Sequence, residues 1–261
     1  MKIIKQYLTF SEYQIHLRKS GDSGFPLILL HQTPLSSRMF ELTLPYIGKQ
    51  MQAIAFDTPG YGQSSPLNNK ISLNNYANRI NYAIDSLGFN KFALASFATG
   101  SALAIKLANK LGNRVTHLIL SGTPVLTKSE IDFYSKNLPC IKPRLDGSHL
   151  NHIWKNRINS YGSEGGIDQL QMVLEESLSA TGKIQSGLEA VLNADIKEEL
   201  KLLNQKVLFL TLENDKLAIS NRKAASFVKH SEELIIPDSL PQYCWTNPER
   251  YAQVIFDFVL G

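Results

Sequence analysis

The chain has only two cysteines among its 261 residues, Cys140 and Cys244, far apart and without Cys-x-x-Cys or Cys/His spacing. Neither a disulfide framework nor a zinc site is expected to organise it, and a reduced, cytoplasmic setting is the expectation. Blocks of like charge are missing as well. The Lys and Arg behind the net charge of +4 are scattered, so nucleic acid is not an expected partner. No apolar run approaches the length that spans a bilayer, and Gln6, Ser11 and Glu12 interrupt "MKIIKQYLTFSEYQ" before it can form a signal-peptide core. The expectation is therefore a protein that is neither exported nor membrane-embedded. Low-complexity tracts and internal repeats are absent, and no motif calls for a metal or an organic cofactor.

What is present is a globular composition, with 43% hydrophobic and 19% charged residues, enough for a large core. Apolar runs of strand length recur at "IIKQYLTF", "YQIHLR", "PLILLHQT", "QAIAFD", "KFALASF", "HLILSG", "KVLFLTL" and "EELIIP". From the third onward most alternate with helical patterns: "SSRMFELTLPYIGKQ", "SLNNYANRINYAIDSLG", "GSALAIKLANKLG", "NRKAASFVKH" and "PERYAQVIFDFVL". Such alternation predicts an α/β fold with a mostly parallel sheet of about eight strands covered on both faces. The first two runs read as an antiparallel edge hairpin. Between Thr127 and Gln205 the alternation stops and only helical patterns continue. The expected organisation is a core of residues 1–126 and 206–261 with a helical lid over 127–205, set over the carboxyl ends of the strands where α/β folds place ligands.

Within this frame, "KFALASFATGSALAIKLANKLG" reads as a buried strand, a sharp turn on small residues and an Ala-rich helix. With "LLHQTP", "FDTPGYGQSSP" and "VLFLTLENDKL" in order along the chain, it resembles the α/β-hydrolase superfamily over nearly the whole length. The resemblance implies an α/β-hydrolase fold, with a nucleophile at the strand-to-helix turn flanked two residues away on each side by small side chains. Centring on Ala98 gives Ser96 and Gly100 as flanks, whereas centring on Ser96 or Ser101 places a leucine at one of them. Ala98 thus stands where the nucleophile is expected. Asp215 matches the acid position. Counting back from Pro248 puts the histidine position at Pro241, or at Gln242 if the loop is one residue shorter, and that loop contains no histidine. His31-Gln32-Thr33-Pro34 stands at the place of the oxyanion-hole loop, with Gln32 where its N–H donor would lie.

Serine-hydrolase chemistry is therefore disfavoured, and so are aspartate-nucleophile routes. The pocket floor is expected to comprise His31, Gln32, Thr33, Ala98, Thr99, Asp215 and Gln242. In the lid stretch "PRLDGSHLNHIWKNRINSYG", His149, Ile153 and Arg157 fall on one helical face. Trp154 and Arg157 are expected to bind ligand; Asp146, His152, Tyr161, Glu189, Tyr243 and Trp245 are further candidates. Asp146-Gly147-Ser148 also reads as a plain turn and cap, and Trp154 as a packing anchor.

Three functions remain open on sequence. One is a non-covalent acid–base enzyme (a lyase, isomerase, cyclase or water-mediated hydrolase) acting on a small organic substrate, with His31 or His149 as base and Asp215 as proton or hydroxyl binder. The second is an inactive pseudo-hydrolase that binds a small molecule or an active partner subunit. The third is a displaced catalytic set on Ser96 or Thr99. His31 reads equally as a hydrogen-bonded structural residue, and self-association into a homodimer stays open.

Overall fold

The computed structural model describes residues 1–68, 70–138, 142–162, 165–180 and 184–261. Cys140 lies outside these residues. An eight-stranded sheet forms the centre, in the order β1-β2-β4-β3-β5-β6-β7-β8. β1 (Ile4–Phe10) and β2 (Tyr13–Ser20) make the expected antiparallel edge hairpin, and β2 is also antiparallel to β4 (Met51–Phe56). β3 (Phe25–Leu30), β5 (Phe92–Phe97), β6 (Val115–Ser121), β7 (Lys206–Leu212) and β8 (Ser231–Ile236) complete a parallel array with β4. β5 lies near the middle and is buried throughout, as near-continuous apolar strands covered on both faces are.

The first helical pattern is not one helix. Its chain makes a 3-10 turn, Ser37–Phe40, followed by the single-turn α1, Leu44–Ile47. Two of the longer helices start on a side-chain cap. Ser72 accepts from the Asn75 N–H ahead of α2 (Leu73–Ser86), and Thr127 and Glu130 form a capping box on α4 (Lys128–Lys136). α3 (Thr99–Leu111) follows β5 directly.

β6 and β7 are separated by α4, α5 (Ser148–Tyr161), α6 (Gly166–Ser179), α7 (Ile184–Leu192) and α8 (Ile196–Lys201). After β7 come α9 (Ala218–Ala225), α10 (Tyr243–Thr246) and α11 (Pro248–Val259), the last opened by Pro248. α2, α3 and Ala224 of α9 pack on one sheet face. α1, α11 and Met172 and Val173 of α6 pack on the other. Two apolar layers thus hold the strand ends in fixed register, and the loops leaving β3, β5, β6 and β7 converge on one edge.

Candidate functional site

The turn from β5 into α3 is centred on Ala98, whose backbone sits at φ 48°, ψ −111°. This is a costly conformation for a residue with a Cβ. Its N–H is anchored on the Ser121 carbonyl at 2.8 Å. Gly100 shows why the flank must be small, since a Cβ there would lie 2.4 Å from the Leu30 oxygen and 2.7 Å from that of His31. The neighbouring serines face inward. Ser96 Oγ contacts the Ile119 carbonyl and Ser101 Oγ at 3.2 Å each, and Ser101 donates to the Ser121 carbonyl at 2.8 Å. Both are fully buried, so neither hydroxyl reaches the space in front of the turn.

That space is a cavity of about 290 Å³. Gln32, Thr33, Ala98 and Thr99 line its floor, Asp215, Lys216 and Pro241 line one side, and Tyr134 of α4 with Arg157 and Tyr161 of α5 line another. Leu126, Leu138, Leu188, Val191 and Leu192 give it an apolar wall. Thr99 Oγ1 accepts from the Thr33 N–H at 2.7 Å and contacts Thr33 Oγ1 at 3.1 Å, locking the two loops together. The N–H groups of Gln32 and of Thr99, the first residue of α3, have no acceptor among the described residues. These two donors stand where an oxyanion would be received.

Asp215 follows β7 in a turn in which its N–H bonds the Leu212 carbonyl and its Oδ1 accepts the Leu217 N–H at 2.9 Å. Burial raises its pKa above the ordinary aspartate value, partly offset by the Leu217 N–H and the Lys216 charge. Burial likewise raises the Tyr161 hydroxyl, with the nearby Arg157 acting the other way. Tyr161 Oη accepts from Gln32 Nε2 at 3.3 Å.

Both histidines proposed as bases on sequence grounds are placed elsewhere, which corrects the expectation that they share one cavity. His31 is buried, with Nδ1 on the Gln32 carbonyl at 3.0 Å and Nε2 receiving the Thr58 N–H at 2.9 Å. Burial lowers its pKa, opposed by the Gln32 carbonyl and the Asp57 charge. Its imidazole, neutral and satisfied at both nitrogens by backbone, holds two loops together and borders a small adjoining void of about 20 Å³ behind Thr33 and Thr99, not the main cavity. His149 sits in the first turn of α5, where its Nδ1 accepts the Arg144 N–H at 3.2 Å. It does not line the cavity.

Gln242 needs the same correction. At φ 72° it turns away from the cavity into full burial, where its Oε1 accepts from Gln169 Nε2 at 3.2 Å. Pro241 is the residue of that loop that faces the cavity. Trp154 is partly buried and does not line the cavity, and Asp146 accepts the Ser148 N–H at 3.0 Å as a turn residue does. His152 contacts Asn156, Glu189 points to solvent, and Tyr243 and Trp245 pack in the core layer. The sequence reading missed Tyr134, Lys216 and the apolar wall. Leu188, Val191 and Leu192 fall three and four apart on α7, a stripe indistinguishable by pattern from ordinary packing.

Behind the floor, the Asp57 carboxylate is fully buried and receives His16 Nδ1 at 2.8 Å, the Ser37 N–H at 2.7 Å and the Gln63 N–H at 2.8 Å. Gly62 has φ 51°, and a Cβ on it would lie 2.1 Å from Asp57 Oδ2. Burial pushes the Asp57 pKa up, but the donors from His16, Gln63 and Ser37 prevail and hold it at about 2.

A strand, a strained turn and a helix with a carboxylate two strands away at the end of β7 make a recognisable frame, and residues 26–248 match the family model of the alpha/beta hydrolase fold. The chain belongs to the alpha/beta hydrolase family. Among its relatives is an uncharacterized hydrolase of Saccharomyces cerevisiae, YNR064C, 36% identical over 108 residues, covering 41% of this chain and 37% of that protein. The YisY protein of Bacillus subtilis is 26% identical over 209 residues, 75% of this chain and 76% of its own length. A pimeloyl-[acyl-carrier protein] methyl ester esterase of Legionella pneumophila is 30% identical over 119 residues, 46% of each chain. The chain thus spans less than half the length of two of these three relatives.

Solved alpha/beta hydrolase structures share the fold at low identity. A Bacillus anthracis bromoperoxidase has a TM-score of 0.83 at 14% identity, covering 99% of this chain and 100% of its own. An Exiguobacterium antarcticum esterase has 0.82 at 19%, with the same coverage. Among the described residues no alpha/beta hydrolase helix here is long and apolar enough to cross a membrane, and no cluster of His, Cys, Asp and Glu could hold a metal ion.

Proposed function

We propose that this chain binds a small organic molecule in the cavity above Ala98 and does not perform Ser–His–Asp chemistry on it. The reading rests on one juxtaposition: the nucleophile turn keeps its strained geometry but presents a methyl group, and Asp215 and Pro241 both face the cavity with no histidine lining it among the described residues. Covalent catalysis needs an attacking group and a base to activate it. The two unpaired N–H groups of Gln32 and Thr99 remain able to receive a carbonyl or carboxyl oxygen. Residues 127–205 act as the lid, since α4, α5 and α7 contribute Tyr134, Arg157, Tyr161, Leu188, Val191 and Leu192 to the cavity lining.

A second reading is acid–base catalysis through Asp215 on the bound molecule. One observation favours it: burial raises the pKa of a carboxyl that faces the cavity, and such a group can hand over a proton nearer neutrality than an exposed aspartate. Relatives named as an esterase and as a soluble epoxide hydrolase fit a small organic substrate of this kind.

The test is a thermal-shift screen of small acyl, keto and phenolic compounds on the whole chain, with product analysis of every hit. Hits recovered unchanged support binding alone. Conversion that falls roughly 10²- to 10⁴-fold in Asp215→Asn supports the enzyme. Stoichiometric acylation by an activated ester in the wild type overturns both.

A further inference from the structure

Arg157 is the one arginine among the described residues that lines the cavity; its guanidinium hydrogen-bonds the Tyr161 hydroxyl but has no anionic partner there. Among the described residues no carboxylate lies within ion-pair distance of it. Its Nε is buried with no hydrogen-bond partner, and its guanidinium carbon stands 5.9 Å from the centre of the Tyr161 ring. A guanidinium carries five donors and stays charged at every physiological pH. The side chain is partly buried, and a ligand acceptor reaching Nε would fill the donor that the protein leaves unfilled. Lys216 adds a second positive charge to the lining, against the single carboxylate of Asp215.

We infer that the molecule bound here is a small organic monocarboxylic acid, its carboxylate held by Arg157 and its hydrocarbon body laid along Leu126, Leu138, Leu188, Val191 and Leu192. The inference rests on the proposal that this cavity is the ligand site. A carboxylate matches the planar fork of a single arginine in bidentate fashion. A phosphate dianion would face the Asp215 carboxylate with only one arginine and one lysine to offset it. The volume of about 290 Å³ is ample for a small organic acid.

The experiment is titration calorimetry of the full chain with a series of straight-chain acids from butanoate to decanoate, each paired with its primary amide. The wild type is expected to prefer each acid over its amide by roughly ten- to a hundredfold. In Arg157→Gln that ratio falls to near one while amide affinity is retained, and in Leu192→Trp, which fills the cavity, both ligands weaken together. Equal binding of acid and amide by the wild type overturns the carboxylate assignment but leaves the cavity reading standing, as does an acid preference that survives in Arg157→Gln. Absence of binding by acids and amides alike, or binding untouched by Leu192→Trp, overturns the cavity reading and this inference with it. A loss of melting temperature in the unliganded Arg157→Gln protein would mark an unfolding effect; Arg157→Lys, which keeps the charge but not the fork, is then expected to retain part of the acid preference.

Discussion

The Asp57 carboxylate is the most sharply predictable perturbation behind the site. Three donors meet it in full burial, and its folded pKa is about 2 against roughly 3.9 in an unfolded chain. A folded pKa below the unfolded one means that ionisation stabilises the fold. That stability is complete above the unfolded value and is lost as pH falls through the folded one. For a shift of this size the contribution is on the order of 2–3 kcal/mol at neutral pH, draining away between about pH 5 and pH 1. Asp57→Asn leaves one acceptor oxygen for three donors and turns an amide N–H₂ toward at least one of them, so the loss at neutral pH should be on the order of 2–3 kcal/mol. At this chain length that corresponds to a fall of roughly 4–12 °C in melting temperature. The assay is urea unfolding of both proteins at intervals from pH 7 to pH 3. The gap between them should be widest at neutrality and narrow steadily below about pH 4. A gap that stays constant across that range would show that the Asp57 charge does not do what the geometry says.

Two further perturbations address the turn itself. Gly100→Ala would gain about 1 kcal/mol in helix propensity, yet its methyl group meets two backbone oxygens that cannot move aside; a net loss of roughly 1–3 kcal/mol in denaturant unfolding is expected, and unchanged or increased stability would refute the packing account. Ala98→Ser alone should stay unlabelled by a fluorophosphonate, because the hydroxyl has no base, whereas Ala98→Ser with Pro241→His places an imidazole at the cavity-facing position near Asp215 and should label slowly. Equal labelling of the single and double variants would reveal another base, and labelling of the wild type at Ser96 or Ser101 would contradict their burial.

The elements were legible wherever hydrophobic runs were cut off by clear caps, as with β5 and α3 or α11 behind Pro248. The segment from Ser36 to Gln50 was not. Its apolar residues carry helical spacing, but the chain divides them between a 3-10 turn and a single helical turn with Pro45 inside it. Gln32, Thr33, Ala98, Thr99 and Asp215 could be placed on the cavity from sequence because strand ends fix them. His149 could not be placed by the same logic that placed Arg157. Eight residues on one helix face are about 12 Å apart along the axis, so a shared face does not mean a shared cavity. The misplacement of Gln242 turned on one backbone angle. Its positive φ swings the side chain toward Gln169 and leaves Pro241 facing the void, a choice that side-chain chemistry does not announce.

The unusual backbone of residue 98 has a consequence beyond the present side chain. Its conformation is set by where β5 ends and α3 begins, by the bond to the Ser121 carbonyl and by the close approach of Gly100 to β3. None of these depends on what the residue carries beyond its Cβ. The turn therefore works as a socket: small side chains there meet much the same backbone strain, and the one fitted decides whether the scaffold attacks its guest or only holds it. Differences in chemistry between this protein and others built on the same frame can then arise at a single position without the surrounding fold having to change.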